Sequence, residues 1–249
     1  MTDQWAMLDA EIRQWKAAGL RLPLWWRDDD AVDVTAALEQ LLALSHQTGL
    51  PVSLAVIPNA ATTALARRLH SSTATVLVHG WAHENHAPVD QKKAEFGPAR
   101  PVSETTEDAR AGLARLRELF GPGLAPVFVP PWNRITPETT AALPALGYKA
   151  VSTFTPRRAV EAAPGLLQIN THLDPIHWRG DRSLVPPARL IAQIAHDLHM
   201  RRLGQDDPTE PYGILTHHLV HDAAIWDFTH ELISRLMDGI ADAWTFEGP

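Results

Sequence analysis

The chain has 249 residues, 45% of them hydrophobic and 20% charged, with a formal net charge of −7. Ordinary hydrophobicity and mixed charge exclude a disordered chain, and the acidic balance argues against a nucleic-acid partner, which selects for a basic patch. There is no cysteine, so disulfide scaffolds, thiolate zinc sites, iron–sulfur clusters and cysteine nucleophiles are excluded.

The opening stretch carries Asp9, Glu11, Arg13 and Lys16 and lacks the apolar core of a signal peptide. No run nears the roughly 18 apolar residues of a membrane span, so the expectation is a cytoplasmic protein with no membrane partner. Residues 5–18 read as an amphipathic helix ending at Gly19. Residues 20–26 form a short apolar strand that stops at Asp28-Asp29-Asp30, and Asp33 is placed to cap a helix over 34–47, with Gly49 beyond its end. A second strand covers 51–57, a short helix 61–69, and a third strand 75–78 leads into His79. The polar stretch 80–102, with Pro88, Gly97, Pro98 and Pro101, reads as a long loop of the kind that carries function. A helix over 104–120 stops at Gly121, and strand 126–129 follows. Next come a helix over 137–146 interrupted near Pro144, strands at 148–152 and 166–170, a helix over 187–203, a strand at 212–216 and a last helix over 223–240.

Strand and helix thus alternate about every 30 residues, the signature of βαβ units and a parallel sheet. This predicts one α/β domain over 1–249, a (β/α) barrel of about seven parallel strands, with an open doubly wound sheet as the competing topology. No glycine-rich phosphate-binding turn follows the first strand, which counts against the nucleotide-binding version of that sheet.

Ligands of parallel α/β folds sit at the carboxyl ends of the strands, and the polar residues collect there. Asp28, Asp29 and Asp30 follow strand one. His79, His83, Asn85 and His86 follow strand three, Trp132, Asn133 and Arg134 strand four, His172, Asp174, His177 and Trp178 strand six, and His217, His218 and His221 strand seven. Read as a helical turn, His79 and His83 share one side, a spacing that lets two imidazoles hold one metal. With a carboxylate from the Asp triplet they leave positions open for water and substrate. Three adjacent carboxylates repel one another. A metal would neutralise one, and another could serve as general base. An imidazole at the end of strand seven suits the acid for a leaving amine, and alternation along the strand turns His217 and His218 to opposite sides. Trp5, Trp15, Trp226 and Trp244 fall on helical packing patterns, whereas Trp81, Trp132 and Trp178 lie in polar windows where flat aromatic faces suit sugar rings.

The order of these windows resembles the polysaccharide deacetylase family, the NodB-homology domain of carbohydrate esterase family four, from Leu22 to about Ile240. The resemblance implies a distorted (β/α) barrel and hydrolysis of N-acetyl groups with a divalent metal. The first motif, T-F-D-D-G, aligns with Arg27-Asp28-Asp29-Asp30-Ala31, which implies Asp29 as base and Asp30 as metal ligand; a one-residue shift gives those roles to Asp28 and Asp29. The second, H-[ST]-x-x-H, matches His79-Gly80-Trp81-Ala82-His83 with Gly80 in place of the hydroxyl residue, implying His79 and His83 as ligands. The third, R-P-P-Y-G, resembles Val129-Pro130-Pro131-Trp132-Asn133. Its Arg, which orients the base, is missing, and Arg134 or Arg27 is the candidate replacement. The fourth, D-x-x-D-W, is echoed by Asp174-Pro175-Ile176-His177-Trp178. The fifth, L-x-H, matches Leu215-Thr216-His217, implying His217 as the acid. Asp174 is a candidate orienting partner for it.

The reading is a zinc-dependent deacetylase or amidohydrolase. Its expected catalytic residues are Asp29 and His217, its expected metal ligands Asp30, His79 and His83, and its expected substrate-facing residues Trp81, Pro131, Trp132, Asn133, Arg134, Asp174 and Trp178. An N-acetylated sugar, as a small molecule or an oligosaccharide, or a similar small amide is the expected substrate. The rivals are a non-catalytic sugar- or metal-binding module and a metal hydrolase of a non-sugar amide on the same barrel.

Overall fold

The structure, a computed structural model, describes residues 4–246. In chain order the elements are α1 (Ala6–Ala17), β1 (Leu22–Ala31), α2 (Ala36–Thr48), β2 (Val52–Val56), α3 (Thr63–Leu69), β3 (Thr75–His79), α4 (Val102–Phe120) and β4 (Leu124–Val129). They continue with α5 (Pro137–Leu146), β5 (Ala150–Val151), β6 (Glu161–Ala163), β7 (Leu166–Gln168), α6 (Pro187–Arg202), β8 (Tyr212–Thr216), α7 (Ala223–Gly239) and β9 (Ala241–Ala243). Among the described residues no helix is long and apolar enough to cross a membrane.

The sheet runs β6-β7-β5-β4-β3-β2-β1-β8, with all neighbours parallel except the β6–β7 hairpin. The chain beyond β7 then closes it. Phe154 pairs with Thr171, and Leu173 pairs with Ile214 of β8. His172 N–H donates to the Gly213 carbonyl at 2.7 Å, and Leu215 N–H to that of Leu173 at 2.8 Å. The result is the expected distorted barrel, closed by isolated bridges where regular strands give out.

β1 shows how the sequence divides inside from outside. Successive strand side chains alternate. Trp25 joins Ala55, Leu77, Ala125, Val127, Val129, Ala150 and Ile169 in one cluster, while Leu22, Leu24 and Trp26 join the larger core made with the helices. The first cluster fills the barrel interior with mostly small side chains around one indole. Gly213 makes room for that indole, because a Cβ there would lie 2.3 Å from Trp25 Nε1. Trp244 meets Trp25 edge to face at 5.8 Å and covers the amino end of β1, and Trp5, Trp15 and Trp226 are buried as packing residues.

Several boundaries differ from the expectation. β1 does not stop at Trp26 but continues through the three aspartates to Ala31. The cap of α2 is Thr35, whose hydroxyl accepts from Leu38 N–H. Asp33 instead accepts from Val34 N–H and the Thr62 hydroxyl. The helix α5 continues through Pro144 to Leu146. β6 and β9, three residues each, have too little sequence to show a period.

Candidate active site

The carboxyl ends of the strands build the site. A register shift between Asp28 and Ala31 interrupts the pairing of β1 with β2, and Asp30 adopts φ 74°. Aspartate tolerates this left-handed conformation better than most residues. The irregularity breaks strict alternation, so Asp29 and Asp30 both line one cavity while Asp28 turns away from it. Asp28 is fully buried. It accepts from His218 Nδ1 at 2.5 Å, the Thr216 hydroxyl at 2.6 Å and His218 N–H at 3.0 Å. Burial opposes charge on both partners, but each outweighs it for the other: the Asp28 pKa is lowered and that of His218 raised.

Asp30, His79 and His83 converge, with one ligand atom from each lying within 4.8 Å of the others. Asp30 Oδ1 is 3.1 Å from His79 Nε2 and 3.3 Å from His83 Nε2. The two histidines do not share a helical turn. His79 ends β3, and left-handed residues Gly80 (φ 56°) and His83 (φ 57°) fold the chain back. His86 is exposed and has no part in the group.

His79 Nδ1 donates to the Val129 carbonyl at 2.9 Å, which leaves Nε2 facing the Asp30 carboxylate. Two lone pairs 3.1 Å apart require a proton or a cation between them. Accordingly the His79 pKa is raised, Asp29 and Asp30 outweighing burial, and the Asp30 pKa is lowered, chiefly through His79 against its own burial. Burial and His79 lower that of His83. The donor set, two imidazoles and one carboxylate with one imidazole oriented by a backbone carbonyl, fits a divalent metal with open positions.

Glu95, absent from the expectation, holds the turn between the two histidines. Its buried carboxylate accepts from Trp81 N–H at 3.2 Å and Ala82 N–H at 2.7 Å. A Cβ on Gly80 would lie 2.2 Å from Glu95 Oε2 and 2.6 Å from the Pro131 ring. The departure of Gly80 from the motif thus has a steric reason, and a carboxylate from the long loop bonds the turn instead.

Arg27 is one of the two candidates to replace the third-motif arginine. Two residues before Asp29 on β1, it points to the same side. Its Nε and Nη2 donate to the two Asp29 oxygens at 2.9 and 3.0 Å, and it also reaches Ser152 Oγ, the Thr153 carbonyl and Asn133 Oδ1. The other candidate, Arg134, donates to the Lys93 carbonyl at 2.6 Å. Trp132 and Asn133 both have left-handed backbones (φ 56° and 58°), strained for an aromatic residue. This backbone sets the Trp132 ring 4.3 Å from His83 and Asn133 against Arg27.

His217 Nε2 lies 4.0 Å from Asp29 Oδ2, and the ring meets Trp178 edge to face at 4.7 Å. The expected hydrogen bond to Asp174 is not formed. His217 Nδ1 is buried without a partner, while Asp174 accepts from Trp178 Nε1 at 2.7 Å and Ile176 N–H at 2.9 Å. Burial raises the Asp174 pKa. His218, which opens a short turn just past β8, faces away to Asp28.

A cavity of about 1070 Å³ gathers Asp29, Asp30, His79, His83, Trp132, Asn133, Arg134, Asp174, Trp178 and His217. Trp81 and Pro131 fall outside its lining: Trp81 packs against the core, and Pro131 is buried beneath Gly80.

No family model matches the chain, and no curated protein matches it. Solved structures do. A family 4 carbohydrate esterase from Streptomyces lividans, in complex with acetate, superposes with a TM-score of 0.55 at 13% identity, over 91% of this chain and 93% of the esterase. The peptidoglycan deacetylase PdaC from Bacillus subtilis gives 0.55 at 16% identity, over 90% and 87%. A candidate polysaccharide deacetylase from Mycobacterium smegmatis gives 0.57 at 16% identity, over 86% and 81%. The chain has the fold of these proteins.

Proposed function

We propose that this chain, read as one catalytic domain over 1–249, is a divalent-metal-dependent hydrolase that removes an acyl group from an N-acylated sugar in the cytoplasm. One observation carries the reading: Asp30, His79 and His83 converge on one point beside a second carboxylate, Asp29, that is held by a buried arginine. The fold shared with family four esterases and deacetylases supports it.

Asp30, His79 and His83 would hold the cation, and zinc suits two imidazoles and a carboxylate. Bound there, it would polarise the acyl oxygen and acidify a water. Asp29 takes the proton of the attacking water. Arg27 fixes that carboxylate by two parallel hydrogen bonds. His217, across the cavity from the ligand group, gives a proton to the departing amine through Nε2. Trp132 and Trp178 present flat faces to the sugar.

A non-hydrolytic binding module is the second reading, favoured by the unpartnered Nδ1 of His217. Acetate release from chitooligosaccharides and hydrolysis of p-nitrophenyl acetate, each measured on stripped and zinc-reloaded protein, separate the two. Hydrolysis that vanishes with the metal and returns with it supports the hydrolase. Metal binding without turnover on either substrate leaves the binding module.

A further inference from the structure

The cavity over Asp30, His79 and His83 divides by charge. Its carboxylates are Asp29, Asp30 and Asp174, and each is engaged, by Arg27, by two histidines, and by Trp178 with Ile176 N–H. Its other charged lining residues are all cations: Lys93, Arg134, Arg179, Arg182 and Arg189. Among the described residues none of these five forms an ion pair, whereas arginines elsewhere do, as in Arg21–Asp242, Arg68–Glu39, Arg202–Glu11 and Arg235–Asp9.

This concentration runs against the whole chain, whose net charge is −7. Lys93, Arg179, Arg182 and Arg189 are exposed and Arg134 is half-buried, so their mutual repulsion is screened by solvent, but together they make a cleft that attracts anions. Arg189 adds a second sign. It stands in the first turn of α6, where the helix dipole disfavours a cation, and no acidic residue shares that turn. Five positive charges exceed what one carboxylate neutralises, whereas a phosphate or diphosphate brings about two or more negative charges and several acceptor oxygens. Trp178, 42% exposed in the same lining, offers a flat face beside these cations for the sugar.

We propose that the substrate is an anionic acylated sugar bearing a phosphate or diphosphate. The basic lining holds that group while the acylamido group lies over Asp30, His79 and His83. This rests on the hydrolase reading for the amide and on the cations alone for the phosphate.

The test is calorimetric binding to zinc-loaded protein of N-acetylglucosamine, its 1-phosphate, and N-acetylmuramic acid, which carries a carboxylate instead. The proposal expects the 1-phosphate to bind about tenfold or more tightly than either of the others, with the preference shrinking in high salt. The triple variant Arg179→Ala/Arg182→Ala/Arg189→Ala, checked for metal content and melting temperature, should lose about tenfold for the 1-phosphate alone. Equal affinity for the neutral and phosphorylated sugars overturns the proposal. So does undiminished 1-phosphate binding by the triple variant, which would take the arginines around α6 out of the phosphate site. Equal affinity for the carboxylate sugar overturns the phosphate assignment. Hydrolysis of uncharged p-nitrophenyl acetate by the wild-type protein reads the hydrolase separately, so its absence removes that reading without touching the binding result.

Discussion

Replacing Arg27 by Met probes the candidate base most sharply. The guanidinium is fully buried and makes five hydrogen bonds, two to Asp29 and one each to Ser152, Thr153 and Asn133. Asp29 is itself only 2% exposed. Removing one member of a buried ion pair costs about 3–5 kcal/mol, because the other charge is left without compensation. That is a large share of the roughly 5–15 kcal/mol that holds a domain folded. The variant should therefore melt at a lower temperature. Without the two hydrogen bonds that orient it, Asp29 is misplaced toward the attacking water, and kcat should fall about a hundredfold. Arg27→Lys, which keeps a charge but loses the fork, should fall between the two. The double variant Arg27→Thr/Val129→Arg, which returns the arginine to the position it has in the resembled motif, should recover part of the rate. The assay is kcat and KM for p-nitrophenyl acetate hydrolysis by zinc-loaded protein, beside thermal melts. A wild-type kcat in a folded Arg27→Met protein would mean that Arg27 does not position the base.

Three further outcomes are expected. Glu95→Ala frees the turn between His79 and His83 and should weaken zinc affinity about 10- to 100-fold, read by competition with a chelator; unchanged affinity would make Glu95 irrelevant to the site. His217→Ala should slow amide hydrolysis much more than that of an activated ester, whose leaving group needs no proton. His218→Ala should instead lower the melting temperature by stranding Asp28, and the reverse pattern would exchange their roles. Burial, with His217 and His218 adding to it against Asp28, lowers the His221 pKa from 6.5 to about 4. The unfolded chain then binds the extra proton first, so stability falls as pH drops from 6.5 towards 4, by about 2 kcal/mol once partial exposure is allowed for. In urea melts His221→Gln should lose less stability over that window, and equal acid losses would contradict the shift.

Much of this was legible in the sequence, where its signals were local. Apolar runs separated by capped helices gave the barrel strands, because strand and helix periods differ over stretches of this length. Alternation separated His217 from His218, and it also bears on Arg27 and Asp29, whose spacing of two puts them on one side of a strand. The continuation of β1 through three aspartates was not legible. Aspartate is depleted from strands, and here partners remote in sequence override that preference: His218 for Asp28, Ser152 and Asn133 through Arg27 for Asp29, and two histidines for Asp30. The i, i+4 histidine spacing brought the right pair together through the wrong geometry, since a strand end and a left-handed turn do what a helical turn would. Glu95 had no local signal at all, because its partners lie 13 and 14 residues away across an irregular loop. The cationic lining was equally hidden. Lys93, Arg134 and the arginines around α6 come from three separate segments that only the closed barrel assembles.

Everything proposed for the site depends on one divalent ion held by Asp30, His79 and His83, and anomalous diffraction from zinc-soaked crystals can locate it. One peak per chain should be bonded to Asp30 Oδ1, His79 Nε2 and His83 Nε2, with Asp29 near but outside the coordination sphere; a peak on Asp28 and His218, or one that takes Asp29 as a ligand, would overturn the proposed site.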